Sequence, residues 1–414
     1  MDNVTHALAG CLLAAATVTL VERRAKPTAA PHPTGLRRVA TIVGLVTAEL
    51  PDADLLYAGP LVGMGKLGYL LHHRGHTHTV LFTVAAALLV WAAAVALWPG
   101  ARDPRIRKAL LGLALAGTLS HLLLDFTNSY GVHPFWPVVK RWFYGDAVFI
   151  VEPWLWIAAL PPLLLISRST AARVLYGVAL AAIIAAAWLV SMVGRDVSIA
   201  LTVGAALWFL AVRIAPEPRR VAMALLLWLG IEFGFLGAAA AARSAVRDAT
   251  GATLRDAVLT PAISNPLCYH ALVVETDGPL YRVSPATVAP FPSLRDATGC
   301  GAPGENGRTV LPSVHASTRS IAWGGEWRAP VQGLVALAST NCEIAAALEF
   351  IRVPVWTRLG DGTIEMSDLR FGEGGGSFAS IVASERPSLC PRHVPGWVPP
   401  RRDVIGVPRP RMER

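Results

Sequence analysis

The stretch Leu70–Phe82, LLHHRGHTHTVLF, places His72, His73, His76 and His78 within seven positions, directly before a long apolar run. Neutral imidazole ligates zinc and related ions, and with carboxylates it builds sites that activate water. Carboxylates are at hand in AELPDADLL, with Glu49, Asp52 and Asp54, and in SHLLLDFTNSYG, where His121 and Asp125 stand four apart. On a helix that spacing puts both side chains on one face. Asp2 and His6 lie at the start of the chain, and His133 and Asp146 follow the His121/Asp125 pair. His76 and His78 can clamp an ion from an extended turn, whereas His72 and His76 share a face only if the next helix starts early. Such a set suits zinc, or manganese where oxygen ligands are more numerous. A site of this kind lowers the pKa of bound water and stabilises charge on a phosphoryl or carbonyl oxygen. The ligands suffice for two ions about 4 Å apart.

The elements that must position these residues are apolar helices. The chain has 414 residues, of which 53% are hydrophobic and 16% charged, too apolar for an ordinary soluble enzyme. A bilayer core requires about 20 apolar residues per helix. Residues 79–98 supply such a run without a formal charge, 174–193 and 221–242 are similar, the latter interrupted only by Glu232, and 109–125, 148–166 and 197–214 are further candidates. The runs at 7–21 and 39–50 are marginal in length. Together they predict a polytopic bundle of six to eight helices over residues 1–245. Residues 1–21 lack the basic leading region of a signal peptide, so they read as a retained first helix.

The net charge of +9 does not point to nucleic acid, because its distribution follows topology. The loops on one predicted face hold fourteen Lys and Arg residues, against five on the other. The positive-inside rule assigns the richer face to the cytoplasm. Every candidate ligand then falls at the outer mouth of the helices. Ionisable groups beside a membrane are costly and are paired or functional.

Beyond about residue 245 the composition becomes polar and rich in Pro and Gly. YHALVVET-DGP-LYRVS and FIRVPVWTRL-GDG-TIEMSDLRF read as alternating strands joined by tight turns. The prediction is a mostly β extracytoplasmic domain over 250–400, followed by a disordered basic tail at 401–414. Cys268, Cys300, Cys342 and Cys390 all lie in it, too widely spaced for a zinc module. One or two disulfides in an oxidising compartment fit them.

MDNVTHALAG, ELPDADLL, HHRGHTHTVLF, SHLLLDFTNSYGVHPFWP and YGDAVFIVEPW resemble the YdjM/YbcI family of inner-membrane metal-dependent hydrolases. The likeness covers roughly residues 1–160. SNPLCYHALVVET and EMSDLRFG are similar to the tail of its longer members. The resemblance implies a helical core like that of the zinc-dependent phospholipase C superfamily, with His6, Asp52, His73, His76, His78, His121 and Asp125 as metal ligands.

The expectation is therefore a membrane-bound metal-dependent hydrolase of the bacterial inner membrane, acting at the outer leaflet on a phosphoester of a lipid or lipid-linked substrate. Its partners are membrane lipids and that substrate, without nucleic acid. A divalent ion, zinc before manganese, activates water. Asp52 or Glu49 orients or deprotonates that water, and Arg74 meets the anionic head group. The alternative is a metal transporter or metal-sensing membrane protein, which should carry ionisable residues near mid-membrane on several helices.

Overall fold

Two close-packed helices, α1 (Asn3–Arg24) and α2 (Leu36–Glu49), form the first hairpin. The computed structural model describes residues 1–24, 35–59, 63–302, 311–374, 376–385 and 390–406. A 3-10 turn over Leu50–Asp54 leads into the short α3 (Leu55–Ala58), and α4 (Gly65–His72) follows. A second hairpin pairs α5 (Val80–Leu97) with α6 (Pro104–Phe126). Four further helices are α7 (Pro153–Ile166), α8 (Thr170–Leu189), α9 (Arg195–Ile214) and α10 (Glu217–Thr250).

Among the described residues six helices, α1, α5, α6, α8, α9 and α10, are long and apolar enough to cross a membrane. The first exceeds the apolar run 7–21 because its helix continues to Asn3 and Arg24. By contrast, α2 and α7 have 14 residues each, about 21 Å against a hydrocarbon core of about 30 Å. The run 148–166 yields a shorter helix because Pro153 starts it and the Glu152 carboxylate caps it, accepting from Trp154 N at 3.1 Å. Leu89, Leu175, Leu207, Leu226 and Phe233 are 63–70% exposed, an apolar belt suited to lipid.

Small residues let the helices that carry the candidate ligands approach closely. A Cβ on Gly10 of α1 would overlap the Gly44 carbonyl of α2, and one on Gly117 of α6 would overlap Thr47 of α2. Three backbones thus meet near one point, at the helix ends bearing His6, Glu49, His121 and Asp125.

The polar C-terminal region builds two antiparallel sheets. The first has strand order β1 (Leu254–Ala262), β2 (Asn265–Asp277), β3 (Leu280–Val288), β4 (Ile321–Trp323), with β5 (Trp327–Pro330) also on β3. The DGP turn forms as its sequence predicts, with Asp277 paired to Leu280 and Gly278 at φ +55°. After α11 (Val331–Thr340) and α12 (Cys342–Ala347) comes the second sheet, β6 (Pro354–Arg358), β7 (Thr363–Asp368), β8 (Ser380–Ser384). Cys268 pairs with Cys300 and Cys342 with Cys390, both at disulfide distance.

Arg352 fastens this domain to the bundle. Its guanidinium reaches Asp146, in the loop after α6, at 2.7 Å and Asp256 of β1 at 2.8 Å. Arg243 of α10 completes the network, 3.0 Å from Asp146. The expected disordered tail at 401–414 requires correction at its start. Arg401 is buried with a guanidinium nitrogen 3.0 Å from Asp256, and α13 (Arg402–Ile405) follows it, because this cation has a half-buried carboxylate to meet. Residues 407–414 lie outside the described residues.

Candidate metal centre

Three elements deliver the central cluster. The 3-10 turn after α2 supplies Asp52, the turn between α4 and α5 supplies His78, and the end of α6 supplies His121 and Asp125. One ligand atom from each lies within 4.8 Å of the others. His78 Nε2 stands 2.9 Å from Asp125 Oδ2 and 3.4 Å from Asp52 Oδ1, while His121 Nε2 stands 3.3 Å and 3.5 Å from the same oxygens. His6 of α1 stacks on His121 with ring centroids 3.8 Å apart, its Nε2 3.3 Å from Asp125 Oδ1. The Met1 α-amino group also lies against Asp125.

Asp54 and His73 form a second group with Asp52, again within 4.8 Å. Asp52 therefore belongs to both groups. Asp54, absent from the expected ligand set, is well supplied with donors. It accepts from His73 Nδ1 at 2.9 Å, Arg74 N at 2.9 Å and Thr77 Oγ1 at 2.7 Å. It thereby fixes the backbone that carries His78. The acid spacing in PDAD was the available signal, but sequence does not say which acid faces the ion.

Donor chemistry and orientation fit a cation. His121 Nδ1–H donates to the Ala48 carbonyl at 2.6 Å, which leaves the Nε2 lone pair aimed at the cluster. Asp52 Oδ1, Asp125 Oδ2 and both ring nitrogens of His6 are buried without a hydrogen-bond partner. Buried polar atoms of this kind normally find one; here Asp52 Oδ1 and Asp125 Oδ2 each lie within 3.5 Å of both His78 Nε2 and His121 Nε2. Burial works against charge on His78, yet Asp125, Asp52 and Asp54 around it push its pKa up to about 10. Burial likewise opposes ionisation of Asp54, but His73 and His78 hold its carboxyl below the usual range. These carboxylates call for positive charge.

The remaining candidates sit elsewhere. His76 is outside both groups, packed against Trp136 and Trp397 with ring centroids at 4.7 and 4.9 Å. It leaves the cluster because α4 ends at His72, so residues 73–79 form a turn that directs His78 inward. His72 Nε2–H donates to the His393 carbonyl at 2.9 Å. Arg74, expected at a lipid head group, is instead buried and pairs with Asp125 at 3.0 Å, over the Tyr130 ring. Glu49 is half-buried at the rim, where Asn3 Nδ2–H donates to it at 3.0 Å and to Asp52 at 3.4 Å. Asp146 is committed to Arg352, His133 packs on Trp397, and Asp2 caps α1 through Thr5 N at 3.0 Å.

Fold and site define a helical membrane protein whose buried His/Asp cluster is suited to hold a metal ion. Residues 1–198 match the model of the YdjM inner membrane protein family. No curated protein and no solved structure matches the chain significantly.

Proposed function

We propose that the protein is a metal-dependent hydrolase that cleaves a phosphoester of a lipid or lipid-linked molecule at the membrane surface. The observation that carries this reading is Asp52, shared by the His78/His121/Asp125 group and the Asp54/His73 group. A carboxylate common to two adjacent ion positions suits hydrolytic centres that hold both oxygens of a displacement. Two imidazoles with carboxylates favour zinc, with manganese the second fit.

Bound there, divalent ions supply Lewis acidity and a water of lowered pKa. The chain's own residues do the rest. Asp52 orients the attacking water, Glu49 at the rim accepts its proton, and Arg74 holds Asp125 in place. The partly open edge is lined by Asn3, Glu49 and Asp52, whereas the C-terminal domain covers the turn on the side of His72 and His133. Beside that edge in the chain stand exposed apolar residues, Val4, Val46, Leu55 and Leu56, the last 76% exposed. This lateral edge supports a substrate that approaches from the bilayer. The site end of the bundle and the C-terminal domain are assigned to the extracytoplasmic side, supported by Arg23, Arg24, Arg37, Arg38, Arg105 and Arg107 at the opposite helix ends and by the two cysteine pairs.

The test is metal analysis of purified protein, then a hydrolysis screen of phospholipids and lipid phosphates beside soluble phosphoesters. Wild type should act on the lipid class and Asp125→Asn should not; metal uptake without product from any substrate would overturn the reading. One observation favours transport instead: Glu232, inside α10, is 8% exposed with both carboxylate oxygens unpartnered. Release of ions across a sealed vesicle, abolished in Glu232→Gln, would decide for it.

A further inference from the structure

The turn that presents His78 is held in an unfavourable shape. Arg74 has φ +59°, a left-handed conformation that non-glycine residues adopt infrequently and only where the surroundings enforce it. On one side Asp54 of the 3-10 turn grips Arg74 N and Thr77. On the other side the grip comes from the far end of the chain. Trp397 Nε1–H donates to the Leu71 carbonyl at 2.8 Å, where α4 leads into the turn. The Trp397 ring stacks on His133 with centroids 3.8 Å apart, and His133 Nδ1–H donates to the Arg74 carbonyl at 3.3 Å. His76 packs on the same indole, and a Cβ on Gly75 would lie 3.1 Å from it, so this face of the turn has little room to shift.

Trp397 is itself anchored. Its backbone N donates to Glu349 at 2.7 Å, the neighbouring Val398 N donates to the Lys140 carbonyl at 2.9 Å, and the segment begins at Cys390, paired with Cys342. The indole is 2% exposed. None of this segment belongs to the residues that match the family model, which end at 198.

We propose that Trp397 is a positioning residue for the metal centre, and that one task of the C-terminal domain is to clamp the histidine turn so that His78 and Arg74 keep their places around Asp125. The inference rests on the metal-centre reading above.

The test uses the full chain and four proteins: wild type, Trp397→Ala, Trp397→Phe and Trp327→Ala. Trp327 packs in the same domain against Tyr281 and Trp356, away from the turn, and controls for general loosening. Zinc affinity is read by competition titration, and the ligand field by the visible spectrum of the cobalt-loaded protein. Trp397→Ala should weaken zinc binding by about tenfold or more, the range seen when outer partners of metal ligands are removed, and should alter the cobalt bands. Trp397→Phe, which keeps a stacking ring but loses the bond to Leu71, should fall between, and it carries the test if the alanine variant does not fold. Trp327→Ala should keep both properties. Unchanged affinity and spectrum in both Trp397 variants would overturn the proposal, as would an equal loss in Trp327→Ala. A wild-type protein that binds neither metal would overturn the metal-centre reading itself, and is recognised before any variant is made.

Discussion

The Nε2 atoms of His78 and His121 face each other at 3.1 Å, with Asp52 and Asp125 oxygens beside both. One proton between them makes a single N–H···N bond in which one ring donates to the other, whereas a cation accepts both lone pairs. Loss of either ring should therefore empty the site. His78→Ala and His121→Ala are expected to purify with less than about a tenth of wild-type metal, since a tenfold loss of affinity already follows removal of a mere outer partner. His76→Ala should keep it, because His76 packs on Trp136 and Trp397 instead. Elemental analysis of the three variants checks this, and equal loss in His76→Ala would contradict the geometry.

Asp54 organises rather than completes the central group. Asp54→Asn removes the negative charge and gives the accepting carboxylate a donor face towards Thr77, Arg74 N or His73. A weakening of metal affinity by about 10- to 100-fold is expected, with the ion still bound at saturating concentration. Competition with a chromogenic chelator gives the number.

The close contact of α1 and α2 sets the distance from His6 to the rest of the cluster. Gly10→Val would force its side chain into the Gly44 carbonyl. Overpacking of this kind costs about 1–3 kcal/mol, so a lower Tm in detergent and reduced metal content are expected together. Gly230→Ala on α10, where a Cβ meets nothing within 4 Å, should leave both unchanged.

The joint between bundle and C-terminal domain should weaken in acid. Burial by itself would raise the pKa of Asp256, but the Arg352 and Arg401 guanidiniums outweigh it and hold the carboxyl below the usual range. A depressed carboxylate stabilises the fold above its unfolded pKa of about 3.9, and this contribution is lost as pH falls further. Thermal unfolding of the wild type should therefore drop steeply below about pH 4, a range set by that same value. Asp256→Asn should start lower at pH 7 and show a shallower fall.

Much of this molecule is legible in its residues. Long apolar runs have few alternatives to crossing a bilayer, where they must be helical because unpaired backbone groups are intolerable there, and the DGP and GDG turns mark their hairpins directly. The His121/Asp125 pair follows from helical spacing alone. The choice among four neighbouring histidines does not. It depends on where α4 ends and on the turn at Arg74, whose shape is fixed by Asp54 and by Trp397, 20 residues before it and 323 after.

By itself, then, the sequence determined the apolar helices, the alternating strands and the set of residue types capable of holding a metal ion, since each follows from local periodicity and side-chain chemistry. Tertiary structure alone decided that Asp52 belongs to both groups, that Asp54 holds His73, Arg74 N and Thr77, that Arg74 is buried against Asp125, and that a tryptophan near the C-terminus braces the histidine turn. Those relations depend on helix approach at Gly10, Gly44 and Gly117 and on contacts between distant segments, which no local pattern of residues encodes.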